Sequence, residues 1–333
     1  MKKLLALSML GGILLGVYLT VHSGLAAVGS VLATAGWGLG LVAVAHVVQV
    51  ALSGLAWHAA LGRRFTGSAW TPIALRWIRE SINSMLPVAQ IGGEVAGARL
   101  LTLRGVPSGI AAASVVVDIT FELVTQVLFT VLGLLLFLVH GHRNPAEHFW
   151  IVFGTLIMIP TALVFLVAQR RGMFHRVEDF LNWLAERLPG PNWGRMEGLH
   201  DGIHALYREP KAILMGCYWH LLSWVAGAGE IWLILHLCGA DTSLEASFIL
   251  ESLGQAIRTA AFLVPGAFGV QEGGFMLLGA MFGLAPEVGL GLSLAKRVRE
   301  LLLGVPGMIA WQVLEGRHLL ARRRAATQTV EAE

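Results

Sequence analysis

Apolar residues run along this chain in stretches too long for the core of a soluble protein. Mostly hydrophobic segments occupy Leu4 to Val21, Gly38 to Leu61, Ile110 to Val139, Phe149 to Ala168, Ala212 to Cys238 and Val288 to Val313. Each exceeds the roughly 17 residues a helix needs to cross the hydrocarbon core of a bilayer, so the pattern predicts about six membrane-spanning helices. Two further regions, Pro72 to Arg104 and Leu244 to Gly283, are apolar overall but are broken in the middle by Pro and Gly. The first divides into arms Pro72 to Leu86 and Gly93 to Arg104, each reaching about 18 to 22 Å and too short to span alone. In the second, Leu244 to Val264 could just reach across if it were all helix.

Sliding the chain by 178 residues superposes one half on the other without gaps. Gly38 meets Gly216, Leu55 meets Leu233, His58 meets His236, Leu75 meets Leu253 and Pro87 meets Pro265. Further on, Glu94 meets Glu272, Leu100 meets Leu278, Gly105 meets Gly283, Glu122 meets Glu300 and Leu123 meets Leu301. Leucine and glycine coincidences are cheap in this composition. Matched His, Pro and two Glu are not, because the chain holds only 11 prolines and 12 histidines. The repeated unit is span, broken hairpin, span, and it argues for treating both hairpins alike. The expected form is a re-entrant hairpin, with Pro87, Gly92 and Gly93 at the tip of the first and Pro265, Gly266 and Gly269 at the tip of the second. Irregular backbone at membrane depth survives only under protein or against a wet cavity.

Basic residues vote on orientation, because short loops rich in Lys and Arg stay in the cytoplasm. Lys2 and Lys3 place the N-terminus inside, and the segment His22 to Trp37, without Lys or Arg, outside. Arg63 and Arg64 lie inside, His140 to His148 outside, and Arg170 to Lys211 form a cytoplasmic connection. Gly239 to Glu245 is external, and Arg317 with Arg322 to Arg324 holds the C-terminus inside. The first repeat thus begins outside and the second inside, which makes them inverted-topology repeats. The expected fold is all-α and polytopic. It divides into a first span and external segment (1–37), repeat 1 (38–140), a span with a cytoplasmic connection (141–211), repeat 2 (212–315) and a basic tail (316–333). Residues 1–27 read as an uncleaved span rather than a signal peptide. Within the connection, Met173, Val177, Phe180, Leu181, Leu184 and Leu188 recur at helical spacing. They suit an amphipathic helix on the inner membrane surface or a soluble helix packed on loops.

Composition agrees with this picture. Mean hydropathy is +0.69, with 56% hydrophobic and 14% charged residues. The net charge of +3 is placed where topology uses it, so no nucleic-acid partner is expected. Cys217 and Cys238 share one helix about 32 Å apart, which excludes a disulfide between them.

Charges inside the apolar stretches carry the candidate chemistry. Asp118 and Glu122 share a helix face about ten residues into their span, and Lys296, Arg297, Arg299 and Glu300 sit about equally deep in theirs. Arg79 and Arg258 on the entering hairpin arms and Glu94 and Glu272 on the returning arms complete the set. Ionisable residues at this depth mark a functional site or pair with one another. In one reading Asp118 and Glu122 neutralise Lys296 and Arg299 and pin the repeats together. In the other, Arg and Lys face a hydrated cavity and hold an anionic headgroup, since the guanidinium fork matches phosphate. Glu94 and Glu272 could instead cap the first amides of the returning half-helices.

Phosphate-binding loops, HExxH, CxxC and GxSxG are missing, so no catalytic residue, cofactor or metal is assigned. The GxGxG string at Gly36, Gly38 and Gly40 reads as close helix packing. His200 with His204, and His140, His142 and His148, lack companion ligands and read as solvated.

The tracts NSMLPVAQIGGEVAGARLLTLRG, ASVVVDITFELV and LVPGAFGVQEGGFMLLGAMFGL resemble the lysylphosphatidylglycerol synthase transmembrane region, a flippase-like family. The resemblance runs from about Leu4 to Leu320. Pro87 with Gly92, Gly93 and Glu94, and Pro265 with Gly269 and Glu272, are its most specific elements. Within the family the chain is most similar to stand-alone members associated with hopanoid biosynthesis. Where many relatives have Glu-Arg, this chain has Asp118 and Ile119, so a role resting on that arginine is not carried over. Full synthases add a soluble transferase domain that these residues leave no room for, so synthase activity is not carried over. The resemblance implies a transporter of an anionic or polar-headed lipid, hopanoid or phospholipid, in the bacterial inner membrane. Alternatives are an intramembrane enzyme using Asp118, Glu122 or Glu272 as general acid or base, and a non-transporting partner of lipid-biosynthesis proteins.

Overall fold

The computed structural model describes residues 29–30, 33–86, 92–140, 198–261, 264 and 267–331. The expected spans Leu4 to Val21 and Phe149 to Ala168, the helix from Met173 to Leu188, His142, His148, and the tip residues Pro87, Pro265 and Gly266 lie outside them. Nine α-helices, and no strand, form among the described residues. They are α1 (Gly38–Leu61), α2 (Trp70–Met85), α3 (Gly92–Thr102), α4 (Ser108–His140), α5 (Leu199–Tyr207), α6 (Pro210–Leu237), α7 (Leu244–Ala260), α8 (Val270–Ala280) and α9 (Pro286–Glu331). Among the described residues, three helices are long and apolar enough to cross a bilayer: Gly38–Arg64, Ser108–Val139 and Pro210–Leu237. The expected span Val288 to Val313 lies inside α9, where Lys296, Arg297, Arg299 and Glu300 interrupt its apolar run. At 46 residues, α9 continues through the basic tail. The Ala, Arg and Glu of that tail are strong helix formers.

The hairpin arms are short. At 16 and 11 residues, α2 and α3 reach about 24 and 17 Å. At 17 and 11 residues, α7 and α8 reach about 26 and 17 Å. Because α7 ends at Ala260, the arm from Leu244 also stops short of the roughly 30 Å core.

The 178-residue offset is carried in backbone geometry. The helices α3 and α8 begin and end at offset-matched residues, and each is closed by a glycine of positive φ, Gly105 at 86° and Gly283 at 73°. In both turns the same long-looped bond follows, Val106 N–H to Leu101 O at 3.3 Å and Leu284 N–H to Gly279 O at 3.0 Å. This is the Schellman closure, which needs a left-handed residue that glycine supplies without strain. Packing repeats as well: α1 on α2, α2 on α3 and α3 on α4 are mirrored by α6 on α7, α7 on α8 and α8 on α9. Between the halves, α2 packs on α9 as α7 packs on α4. The opening helices α1 and α6 lie antiparallel, since Gly38 sits at Leu237, His46 at Glu230 and Ser53 at Ser223.

Apolar residues are distributed outside as well as inside, as a lipid solvent allows. Val44, Leu135, Leu214 and Ile309 are exposed on their helices. One buried apolar cluster gathers Trp57, Leu61, Ile78, Leu101, Val117 and Phe121, and a second gathers Val42, Phe137, Ile231, Leu250, Phe275 and Leu292. Between them, α1, α4 and α6 carry a polar belt of His46, Gln49 and Ser53, Glu122 and Gln126, and His220 and Ser223. Within lipid, helices associate through close packing and polar contacts rather than a hydrophobic drive. Accordingly Gly307 of α9 sits against Ser81 of α2, and Gly133 of α4 against Ser252 of α7. Pro306 removes one amide from α9, and the neighbouring Leu303 carbonyl accepts from Trp77 Nε1 at 2.9 Å.

Candidate functional site

Helical spacing turns one narrow stripe of α2, of α7 and of α9 inward. On α2, Arg76, Arg79, Glu80 and Asn83 stand at i, i+3, i+4 and i+7, one face of the helix. The stripe on α7 is Glu251, Gln255 and Arg258, and on α9 it is Lys296, Arg299 and Glu300. Together these line a cavity of about 440 Å³ that both halves enclose.

In the first half, Arg76 holds Glu122 in a two-pronged bond, Nη1 to Oε2 at 2.9 Å and Nη2 to Oε1 at 2.7 Å. Arg79 donates from Nη1 to Asp118 Oδ2 at 2.8 Å and from Nη2 to Glu94. The other Asp118 oxygen meets His220 Nε2 of the second half at 3.0 Å. Beneath Arg79 lies Trp57, its ring centroid 4.5 Å from the guanidinium carbon, a cation–π contact that holds the arm in place. Asn83 joins the hairpin arms: its Oδ1 accepts from Gly93 N–H at 2.8 Å and its Nδ2 donates to Glu94 at 3.2 Å.

In the second half, Arg258 donates to Glu300 Oε1 at 3.0 Å and to Gln271 at 3.1 Å. Glu272 accepts from Gly269 N–H at 2.6 Å and from Arg297 Nε at 3.2 Å. Lys296 Nζ donates to Glu251 at 2.7 Å. Arg299 Nη1 donates to Glu230 Oε1 at 2.7 Å, and His46 lies between Glu230 and Glu80 at 2.8 and 2.6 Å.

The sequence-predicted residues therefore sort into two layers. Arg79, Glu94, Glu122, Arg258, Lys296, Arg299 and Glu300 line the cavity. Behind them, Asp118 holds Arg76 and Arg79. Glu272 is buried and caps α8, the amide-capping alternative, and it also pairs with Arg297. Glu94 makes no such cap in the described contacts; Asn83 serves the Gly93 amide instead. Of the tip residues within the described chain, Gly93 packs on the Arg79 carbonyl, and Gly269, at φ 75°, starts α8. Gly92 is the first residue of α3.

The pairing of Asp118 and Glu122 with Lys296 and Arg299, one of the two readings of these charges, is not what forms. Arginines of the neighbouring hairpin arm reach the two acids first, and Lys296 and Arg299 find Glu251 and Glu230. Cross-half pinning comes instead from His46 with Glu230 and from His220 with Asp118. Sequence reasoning passed over His46, Arg76, Glu80, His220, Glu230 and Glu251. Four of these were visible as ionisable residues in apolar helices, and Arg76 and Glu80 as neighbours of Arg79 on one helical face.

Asp118, Glu122 and His220 converge closely enough to suggest a cation site. Their oxygens already accept from Arg76, Arg79 and His220, so arginines supply the positive charge there. The arginines are not saturated: Nε of Arg76, of Arg79 and of Arg299 is buried without a partner. Such atoms carry a desolvation penalty that an incoming acceptor would relieve.

A comparison with curated proteins and with solved structures gave no match. The profile of the family described as Lysylphosphatidylglycerol synthase TM region matches residues 5–307, a range that holds every residue lining the cavity. This chain is an integral membrane protein belonging to that lysylphosphatidylglycerol synthase transmembrane-region family.

Proposed function

We propose that the chain moves an amphipathic lipid between the leaflets of the bacterial inner membrane, passing its headgroup through the polar cavity. One observation carries the reading: a cavity of about 440 Å³ lined by charged side chains from both halves, inside helices whose outer faces are apolar. Its volume falls within the range of sites that enclose small ligands, about 300 to 1,000 Å³. Arg76, Arg79, Arg258 and Arg299 suit a phosphate or other anionic headgroup, each steered by an acid. Phospholipids and polar-headed hopanoids are the proposed substrates.

Antiparallel α1 and α6, matched turns at Gly105 and Gly283, and mirrored packing support inverted-topology repeats; the distribution of Lys and Arg supports cytoplasmic termini. Arms too short to span support re-entrant hairpins entering from opposite sides. That geometry suits alternating exposure of one central site.

Deleting the gene and comparing whole-cell lipids with their leaflet distribution tests this reading against an enzymatic one. Transport leaves the lipid inventory intact and shifts one headgroup between leaflets; the loss of a modified lipid contradicts it and supports intramembrane chemistry.

A further inference from the structure

Over the whole site among the described residues, eight carboxylates face six arginine and lysine side chains. An anionic headgroup would add to that excess, and uncompensated charge at membrane depth is costly. One proton taken up within the site compensates one such charge, and His46 has the geometry to take it.

His46 is buried on α1 and meets a charged group from each of three neighbouring helices. Its Nε2 is 2.6 Å from Glu80 of α2, and its Nδ1 is 2.8 Å from Glu230 of α6 and 2.6 Å from Arg299 Nη1 of α9. Further charges surround this group. Glu300 lies 3.7 Å from Arg299 Nη2, Lys296 is held by Glu251, and on α4 Glu122 and Asp118 are held by Arg76 and Arg79. Gln49, on the same helix as His46, donates to Glu230.

The Nδ1 atom thus faces a donor and an acceptor and can satisfy only one. Unprotonated, it accepts from Arg299; protonated, it donates to Glu230 and confronts the Arg299 guanidinium, donor to donor. We propose that His46 takes up one proton as an anionic headgroup arrives, and that this turns Arg299 toward the cavity to meet the headgroup. One positive charge gained balances one negative charge bound. Glu80 gives the proton its route. Its side chain is 37% exposed, and with His46 and Arg299 it lines both the main cavity and an adjoining void of about 10 Å³. That is room for about one water. This inference rests on the transport reading above and adds that transport carries protons.

The test uses the full chain in liposomes, with a fluorescent phosphatidylglycerol to follow leaflet exchange and, in parallel batches, a pH dye inside. Exchange above empty vesicles should be accompanied by movement of about one proton per lipid. Its rate should change with outside pH by up to about tenfold per unit, the limit for a one-proton step. His46→Gln should abolish both the proton signal and the pH dependence. Glu80→Gln, at the more exposed end of the array, should flatten the pH profile even if the His46 variant fails to fold. Exchange with no proton movement, or an unchanged pH profile in a folded His46→Gln variant, overturns the coupling and leaves transport standing. No exchange of any lipid by the wild type overturns the transport reading and this inference together.

Discussion

Arg79 and Asp118 are joined by a 2.8 Å hydrogen bond in which neither side chain meets solvent, at 1% and 0% exposure. A buried pair of this kind costs most when half of it is removed, because the remaining charge is stranded. Asp118→Asn should therefore destabilise the protein by about 3 to 5 kcal/mol, read as a lower unfolding temperature in micelles. Replacing both residues, Arg79→Met with Asp118→Leu, should recover only part of the loss. Glu94 would lose Arg79, and His220 and Arg76 would lose Asp118.

Arg76 grips Glu122 through both terminal nitrogens, and only the guanidinium fork can do so. Arg76→Lys keeps the charge and loses the second bond. Leaflet exchange of an anionic lipid should fall by about tenfold or more, the equivalent of about 1.4 kcal/mol, with folding preserved. Retention of the wild-type rate would show that the fork is not needed.

Gly307 leaves no space for a side chain, because Ser81 and Trp77 of α2 already occupy it. Gly307→Leu should force α2 and α9 apart and lower stability by about 1 to 3 kcal/mol, measured by thermal unfolding. At Gly316, where a Cβ would meet nothing, Gly316→Ala should not destabilise.

Topology can be read with an impermeant thiol reagent once Cys217 and Cys238 are replaced by serine. Asp241→Cys should label in intact spheroplasts and Thr66→Cys only after permeabilisation, both positions being exposed. The reverse pattern would invert the orientation drawn from the basic residues.

Much of this was legible in the sequence. Hydropathy marks α1, α4 and α6 without help, and the Pro and Gly breaks locate the ends of α2, α3, α7 and α8. The offset that pairs Gly105 with Gly283 points to two turns that share one hydrogen-bond pattern. Pairing within the site was less legible, because partners come from helices whose rotation the sequence does not specify. Asp118 could be placed on the inner face of α4, yet whether Arg79 or Lys296 reached it depended on the hairpin folding back beside α4. Glu230 and His46 were passed over because neither recurs at the offset: Leu52 and Trp224 stand at the matching positions. Matching by repeat finds what both halves share and misses what only one half contributes.

The most direct measurement is leaflet exchange by the purified chain in liposomes containing headgroup-labelled phospholipids, compared with empty vesicles. The account predicts exchange of at least one polar-headed lipid by the wild type and its loss in Arg76→Gln protein of normal stability. Exchange at the empty-vesicle level for every headgroup, or equal exchange by wild type and Arg76→Gln, would contradict it.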